Sequence, residues 1–218
     1  MKTMPSLRDP LPAALRLLLR IAPTACAALF LANCSSVDRS HAMVVSVADQ
    51  RMVVLHKGSP IAEYPVSTSK FGAGDAPGSC CTPLGQLEVA RKIGEGAPPG
   101  AVFKHRRPTG EILPPNAPGR DPIVTRILWL RGRDSENANA FRRYIYIHGT
   151  PEEYRIGEPA SYGCIRMRSR DVIELYDRVG VGARIEVVPR SLHRNERVAQ
   201  EPPTISHRSR PGRKSFPS

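Results

Sequence analysis

The sequence predicts a mostly β domain, a sandwich or partly closed barrel with one short amphipathic helix. Three observations predict it: β-branched and aromatic residues gather in short runs, turn residues separate those runs, and one segment alone has helical periodicity. The chain has 218 residues with 22 prolines and 17 glycines, a proportion that favours a loop-rich fold over wholesale disorder. Its length fits one domain with tails.

The first strands are predicted to form antiparallel neighbours. Residues 41–55 hold two β-branched runs on either side of an Asp-Gln turn, which is the pattern of a hairpin. Turn residues then set off two further strands, at 61–67 and 86–90. No internal repeat interrupts this succession of short strands.

The second half of the chain contains a long loop, the helix and the last strands. Residues 94–122 are dense in proline and glycine, so we expect a loop that acts as a lid or a substrate-facing arm. Strands are predicted at 123–130 and 144–147. Apolar residues recur at helical spacing over 171–179, and 183–188 is a closing strand.

The formal net charge of +12 lies mostly at the two ends of the chain. Residues 1–33 have four basic side chains and one acidic, and residues 190–218 have seven basic and two acidic. The middle, 34–189, holds 21 basic and 17 acidic residues, and no basic cluster there is interleaved with aromatics. Nucleic-acid binding needs clustered Lys and Arg on an ordered surface, so the charge argues against a nucleic-acid partner.

The first 33 residues are typical of a bacterial export signal, because a basic stretch precedes an apolar run too short for a permanent membrane span. Residues 31–36 resemble the lipobox of bacterial lipoproteins, and this resemblance implies that Cys34 is lipidated and holds the protein at the membrane. Asn33 departs from the small residue usual there, and soluble release after cleavage nearby is the alternative. The predicted location is the periplasm or cell envelope.

The last segment, residues 190–218, has four prolines, scattered arginines and no apolar periodicity. Such a composition cannot bury a core, so the segment is predicted to be a disordered basic tail. A tail that is simply solvated and a tail that contacts an anionic wall or lipid surface both fit this composition.

Three cysteines lie outside the export segment and the lipobox: Cys80, Cys81 and Cys164. An odd number leaves at least one thiol unpaired within the chain. The adjacent Cys80 and Cys81 fit either a vicinal disulfide or two loop thiols. A zinc site formed by these cysteines and His148 lacks the usual Cys-x-x-Cys or His-x-x-x-His spacing, so no metal and no other cofactor is predicted.

His148 and Cys164 are the candidates for chemistry. His148 ends a predicted strand and Cys164 precedes the predicted helix, so the imidazole can take the thiol proton if the intervening loop folds back. Gly163 lets the backbone approach closely, and N–H groups around Cys164 can form an oxyanion hole. Taken singly, each residue also fits a plain structural role, as a strand-capping histidine or a buried apolar cysteine.

Two segments, His148-Gly149-Thr150 and Ser161-Tyr162-Gly163-Cys164-Ile165-Arg166, resemble the L,D-transpeptidase catalytic domain of bacterial cell-wall enzymes, the YkuD-like family. That family has His-Gly followed about sixteen residues later by Ser/Thr-His-Gly-Cys-x-Arg/Asn, and counterparts of the upstream strands extend the resemblance over 43–188. It implies an L,D-transpeptidase-like fold and a division into an export signal (1–33), a linker (34–42), a catalytic domain (43–189) and the tail (190–218).

The resemblance implies a cysteine acyltransferase. Cys164 would attack the carbonyl of the third-residue L-centre of a peptidoglycan tetrapeptide stem and release D-alanine. His148 would move the proton, and the Gly149 carbonyl would orient His148. The amides of Tyr162, Gly163 and Cys164 would form the oxyanion hole. An amine on a second stem, or on an anchored lipoprotein, would resolve the thioester; the oligomeric state is open.

Two further site residues are implied by the same resemblance. Arg166 would bind a substrate carboxylate or brace the loop, and Ser161 would contact substrate. Tyr162 stands where the family most often has His, which keeps the backbone amide and loses a second imidazole.

Two alternatives remain open at this point. A hydrolase on the same fold would use water as the acceptor, and a non-catalytic protein would bind the cell wall through its basic tail and long loop. Papain-like enzymes are disfavoured because their cysteine precedes the histidine in the chain, whereas His148 precedes Cys164 here.

Overall fold

The structure, a computed structural model, describes residues 37–192. The predicted export signal, the lipobox-like Cys34 and the tail beyond residue 192 lie outside the described residues. Within residues 37–192, no helix has the length and apolar character needed to cross a membrane.

The described residues form ten strands and one α-helix, with two short 3-10 turns at Ser135–Asn137 and Glu153–Arg155. The strands are β1 (His41–Ser46), β2 (Arg51–His56), β3 (Ser59–Pro65), β4 (Gly85–Ile93), β5 (Ala101–Lys104), β6 (Arg107–Ile112), β7 (Ile123–Gly132), β8 (Tyr146–Gly149), β9 (Ile165–Met167) and β10 (Arg184–Val188). The helix is α1 (Ser169–Arg178). This confirms the mostly β prediction and the single helix.

All ten strands belong to one mixed sheet that does not close on itself. The main path runs β3-β2-β1-β10-β4-β7-β5-β6, and β8 branches from β7 to pair with β9. The pairs β1–β10 and β8–β9 are parallel, and the other pairs are antiparallel. The β8–β9 pair places the segment that follows His148 beside the segment that follows Cys164.

Strand β7 is buried on both faces from Val124 to Leu130, which explains why that stretch is apolar except at Thr125 and Arg126. Leu128 and Leu130 pack into the larger hydrophobic cluster, which also contains residues of α1. Trp129 on the opposite face belongs to a second cluster, and Cys164 packs against that cluster. Alternation along one strand therefore separates the structural core from the side of the sheet where the thiol lies.

The long loop predicted over 94–122 contains a hairpin, β5–β6, so that prediction was incomplete. Strand β5 extends the sheet by pairing with β7 through Val102↔Val124. Strand β6 contains proline and glycine and is exposed along its length, so it lacks the alternation that marks a half-buried strand.

A short strand that was not predicted lies between Cys164 and the helix. Cys164 precedes the three-residue strand β9, and α1 begins at Ser169, close to the predicted start at residue 171. A strand of three residues is too short to show a period, so the sequence pattern did not indicate β9.

Candidate active site

His148 is buried near the end of β8 and is held by its own neighbour. Its Nδ1 lies 2.8 Å from the Gly149 carbonyl oxygen. A carbonyl oxygen only accepts hydrogen bonds, so Nδ1 carries the proton and Nε2 is the basic nitrogen. The backbone of β8 thus fixes the tautomer that a general base requires.

Gly149 is required by close packing between β7 and β8. A Cβ at this position would lie 2.8 Å from the Val124 carbonyl oxygen and 3.1 Å from the Thr125 Cβ. Any larger residue would push β8 away from β7 and move the carbonyl that holds His148. The lack of space for a side chain therefore explains why glycine follows His148.

Cys164 is half-buried, and its Sγ donates to the Tyr144 carbonyl oxygen at 3.5 Å. Burial raises the pKa of the Cys164 thiol to about 11, although a hydrogen bond from the Tyr146 amide and the charges of Arg166 and Arg143 oppose this. The resting side chain is a neutral thiol.

Burial also lowers the pKa of His148 to about 4, against the opposing effects of the Gly149 hydrogen bond and the nearby Asp121 carboxylate. The resting site therefore holds a neutral imidazole and a neutral thiol rather than an ion pair. In the described part of the chain, the His148 imidazole and the Cys164 thiol do not hydrogen-bond to each other. They meet as walls of one pocket of roughly 430 Å³.

That pocket brings together most of the predicted site residues. Its walls come from the end of the 94–122 segment, from β8 and the turn after it, and from the loop before β9. They are Gly119, Arg120, Asp121, Ile123, His148, Glu152, Arg155, Ser161, Tyr162, Cys164 and Arg166. Within residues 37–192 no group of three or more His, Cys, Asp or Glu side chains has a metal-binding arrangement.

Ser161 holds the loop that carries Cys164. Its Oγ donates to the Cys164 carbonyl oxygen at 2.5 Å and accepts the Gly163 N–H at 3.1 Å. Of the three amides predicted for an oxyanion hole, that of Gly163 is thus already paired. The amides of Tyr162 and Cys164 have no hydrogen-bond partner in the described part of the chain. The contact of Ser161 with substrate stays a prediction.

Gly163 lies in a conformation that favours glycine, with φ +117°. A Cβ there would lie 3.1 Å from the Cys81 carbonyl oxygen, and the Thr82 hydroxyl donates to the Gly163 carbonyl at 3.0 Å. The loop with Cys80 and Cys81 thus supports the backbone directly before Cys164. Both of these cysteines are free thiols, as is Cys164.

Tyr162 directs its side chain outward. The residue is 60% exposed, its hydroxyl accepts from Lys70 Nζ at 3.0 Å, and its ring centre lies 5.6 Å from that of Phe71. The substitution of Tyr for the usual His therefore changes the rim of the pocket.

Arg166 is buried and doubly paired. Its guanidinium contacts Asp121 at 2.5 Å and Glu152 at 3.2 Å, and its side chain is 6% exposed. The Thr150 hydroxyl donates to the same Asp121 carboxylate. Of the two roles that the resemblance implies for Arg166, these contacts favour bracing, because both acidic partners already occupy the guanidinium.

Sequence reasoning missed Asp121 and Glu152. Asp121 lies at the end of a proline- and glycine-rich stretch, 45 residues before Arg166 in the chain, so no motif connects the two. Asp121 and Arg166 meet only because the end of the 94–122 segment lies beside β9 in the folded chain. The available signals were an acidic residue two positions before a predicted strand, for Asp121, and one shortly after the His-Gly motif, for Glu152.

A histidine and a cysteine meet in one pocket of a mostly β domain, and comparison with known proteins agrees with this arrangement. Residues 40–187 match the family model of the L,D-transpeptidase catalytic domain. This match covers more than half of the chain, so the protein belongs to the L,D-transpeptidase catalytic-domain family.

Curated relatives carry the same family name. The chain is 28% identical over 149 residues to Probable L,D-transpeptidase YbiS of Escherichia coli (strain K12), covering 67% of this chain and 44% of that protein. It is 44% identical over 50 residues to Probable L,D-transpeptidase ErfK/SrfK of Salmonella typhimurium, covering 23% and 16%. The chain therefore spans less than half the length of these two relatives.

Solved structures of the family also align with this chain. An L,D-transpeptidase from Mycobacterium smegmatis matches with 19% identity and a TM-score of 0.44, over 68% of this chain and 58% of that chain.

Proposed function

We propose that this protein is a cysteine-dependent L,D-transpeptidase that acts on peptidoglycan tetrapeptide stems. One observation carries the proposal: Cys164 and His148 line the same pocket, and His148 is held in the tautomer that leaves Nε2 as the base. Family membership supports the substrate class, since the family acts on peptidoglycan stem peptides.

The first half of the reaction forms a thioester. Cys164 Sγ attacks the carbonyl carbon of the third-residue L-centre while His148 Nε2 takes the thiol proton. The amides of Tyr162 and Cys164 stabilise the oxyanion. His148 then gives its proton to the amine of D-alanine as the bond between carbonyl carbon and nitrogen breaks. Because both side chains start neutral, proton transfer accompanies the attack.

The second half transfers the acyl group. The amine of a second stem, or of an anchored lipoprotein, attacks the thioester carbonyl and loses a proton to His148. The tetrahedral intermediate collapses, the thiolate leaves, and the proton returns to sulfur. Water in place of the amine would give hydrolysis, so the acceptor decides between transferase and hydrolase.

The deciding experiment follows products. Purified full-length protein is incubated with tetrapeptide muropeptides and the mixture is analysed by mass spectrometry, with Cys164→Ala as the test variant and Cys80→Ala as a matched control thiol outside the pocket. New cross-links that need Cys164 and not Cys80 support the proposal. Loss of D-alanine without cross-links indicates a hydrolase. No Cys164-dependent product overturns both and leaves the wall-binding alternative.

We also propose that the protein works in the cell envelope. Its substrate class lies there, and residues 1–33 have the charge and apolar layout of an export signal. Lipidation of Cys34 is the matching proposal for membrane association. Metabolic labelling with a fatty-acid analogue checks it, with Cys34→Ala expected to lose the label.

A further inference from the structure

A second pocket lies beside the nucleophile. Its volume is roughly 290 Å³, and its walls are His105, Arg106, Ile123, Tyr144 and Tyr146. Ile123 also lines the pocket that contains His148. The Tyr144 carbonyl accepts the Cys164 S–H at 3.5 Å. The second pocket therefore adjoins the thiol.

Arg106 reaches this pocket from the tip of the β5–β6 hairpin. The two tip residues, His105 and Arg106, have φ of +50° and +66°, values that glycine and asparagine usually supply in such turns. The turn accepts this backbone strain, and its geometry aims Arg106 back toward the sheet.

Aromatic faces hold the Arg106 guanidinium in place. Its central carbon lies 4.9 Å from the Trp129 ring centre and 5.0 Å from the Tyr144 ring centre. Nη1 lies 3.4 Å from the Tyr146 hydroxyl. These contacts orient the guanidinium without neutralising its charge.

The charge of Arg106 is available to a ligand. Within residues 37–192 it has no carboxylate partner, whereas Arg166 in the neighbouring pocket is paired with Asp121 and Glu152. A planar, oriented guanidinium with free N–H groups suits bidentate recognition of a carboxylate. Arg120 and Arg155, the other arginines that line the first pocket, contact Glu111 and Glu152. Among the arginines of these two pockets, Arg106 is therefore the one without a carboxylate partner within residues 37–192.

The chemistry of the proposed reaction supplies such a carboxylate. The leaving D-alanine carries its carboxylate on the carbon next to the reacting amine. An incoming α-amino acid acceptor attacks along the reverse path, so its carboxylate occupies the same place. We propose that Arg106 is a specificity-determining residue that binds the carboxylate next to the reacting amine. This inference rests on the proposed function, and the substrate feature that it adds is the carboxylate of D-alanine.

The test compares two donors that differ only in that carboxylate: a tetrapeptide stem with a free C-terminus and the same stem as its C-terminal carboxamide. The measurement is kcat/KM for release of alanine or alaninamide. The proteins are the full chain, Arg106→Gln, Arg106→Lys, and Arg107→Gln as a control at the adjacent, exposed position. Intrinsic leaving-group differences cancel because each protein is tested on both donors.

The unaltered protein is expected to prefer the free carboxylate by about tenfold to a hundredfold, the usual range for a charged hydrogen-bond pair. Arg106→Gln is expected to lose that preference, Arg106→Lys to keep part of it, and Arg107→Gln to keep all of it. Thermal unfolding of each variant checks that it is folded. If Arg106→Gln is not folded, the comparison is made with Arg106→Lys.

Two results would overturn the inference. One is an unaltered protein that does not distinguish the donors. The other is an Arg106→Gln variant that slows both donors by the same factor, as expected for a residue that only pins the hairpin. Failure of the unaltered protein to release any alanine is a third and separate result, because it overturns the proposed function itself.

Discussion

At the scale of single residues, the protonation state of His148 sets the pH range over which this proposed general base can act. Burial lowers its pKa to about 4, so the imidazole is neutral through the physiological range and down to that value. A general base works only when neutral, so activity should persist as the pH falls well below 6.5, the ordinary value for histidine. We expect the acidic limb of kcat/KM for D-alanine release to lie nearer pH 4 than pH 6.5.

The measurement is a pH–rate profile between pH 4 and pH 8, with circular dichroism recorded at each pH to separate titration from unfolding. An acidic limb centred near pH 6.5 in a folded protein would contradict the neutral-imidazole site. The Gly149 carbonyl fixes Nε2 as the acceptor, but its hydrogen bond to Nδ1–H raises the pKa of His148, so the expectation depends on burial outweighing that bond.

The sequence points to the two proposed reacting residues but not to the residues that hold them in place. His148 and Cys164 belong to two short motifs whose order is visible in the chain. The partners of Arg166 come from the end of a long arm and from the turn after β8, which only the folded chain brings together. Likewise, the sequence does not show that the Ser161 hydroxyl pairs with the Gly163 amide, which leaves two amides instead of three for the proposed oxyanion hole.

At the scale of elements, predictability follows periodicity and turn chemistry. Helix α1 and the apolar strand β7 have clear patterns and were predicted to within a few residues. The hairpin β5–β6 turns at His105 and Arg106, which are not residues that signal a tight turn, and its second strand is exposed. Its pairing partner, β7, is distant enough in sequence that no local pattern identifies it.

One lysine stabilises the end of α1. Lys92 on β4 donates to the Tyr176 carbonyl at 2.6 Å and the Val179 carbonyl at 2.8 Å, and its Nζ lies 4.1 Å from the Tyr176 ring centre. The last carbonyls of a helix lack partners within the helix, and a cation there is favourable. Lys92→Met keeps the aliphatic stem and removes the charge, so we expect a loss of about 1–2 kcal/mol in the free energy of unfolding.

Urea unfolding of the two proteins measures this loss. Lys104→Met, at an exposed position on β5, is the matched control and is expected to change the free energy of unfolding little. Equal effects at the two lysines would show that the helix end does not depend on Lys92.

At the scale of the whole molecule, the two ends of the folded region are joined. Strand β1 pairs in parallel with β10, near opposite ends of the described chain. The Ser46 hydroxyl donates to the Arg190 carbonyl, and the Leu192 amide donates to the Asp49 carboxylate. The sheet is complete only when these distant segments meet. At the other end of β1, Asp38 connects the start of the described chain to the turn after α1.

Asp38 accepts hydrogen bonds from the amides of Gly180, Ser40 and His41 at 2.8, 3.0 and 3.1 Å, so one carboxylate ties the start of the sheet to the turn after α1. Burial alone would raise its pKa, but these hydrogen bonds outweigh burial and hold the pKa of Asp38 well below its ordinary value. The folded state therefore binds fewer protons than the unfolded state near pH 4.

Stability contributed by Asp38 is therefore present above its unfolded pKa of about 3.9 and is lost as the pH falls toward the lower folded value. We expect Asp38→Asn to reduce the free energy of unfolding by about 1–3 kcal/mol at pH 7, with the difference from the unaltered protein shrinking at pH 3. Urea unfolding at both pH values measures it, with Glu158→Gln as an exposed control. A difference that stays constant between pH 7 and pH 3 would mean that the charge of Asp38 does not join the two ends.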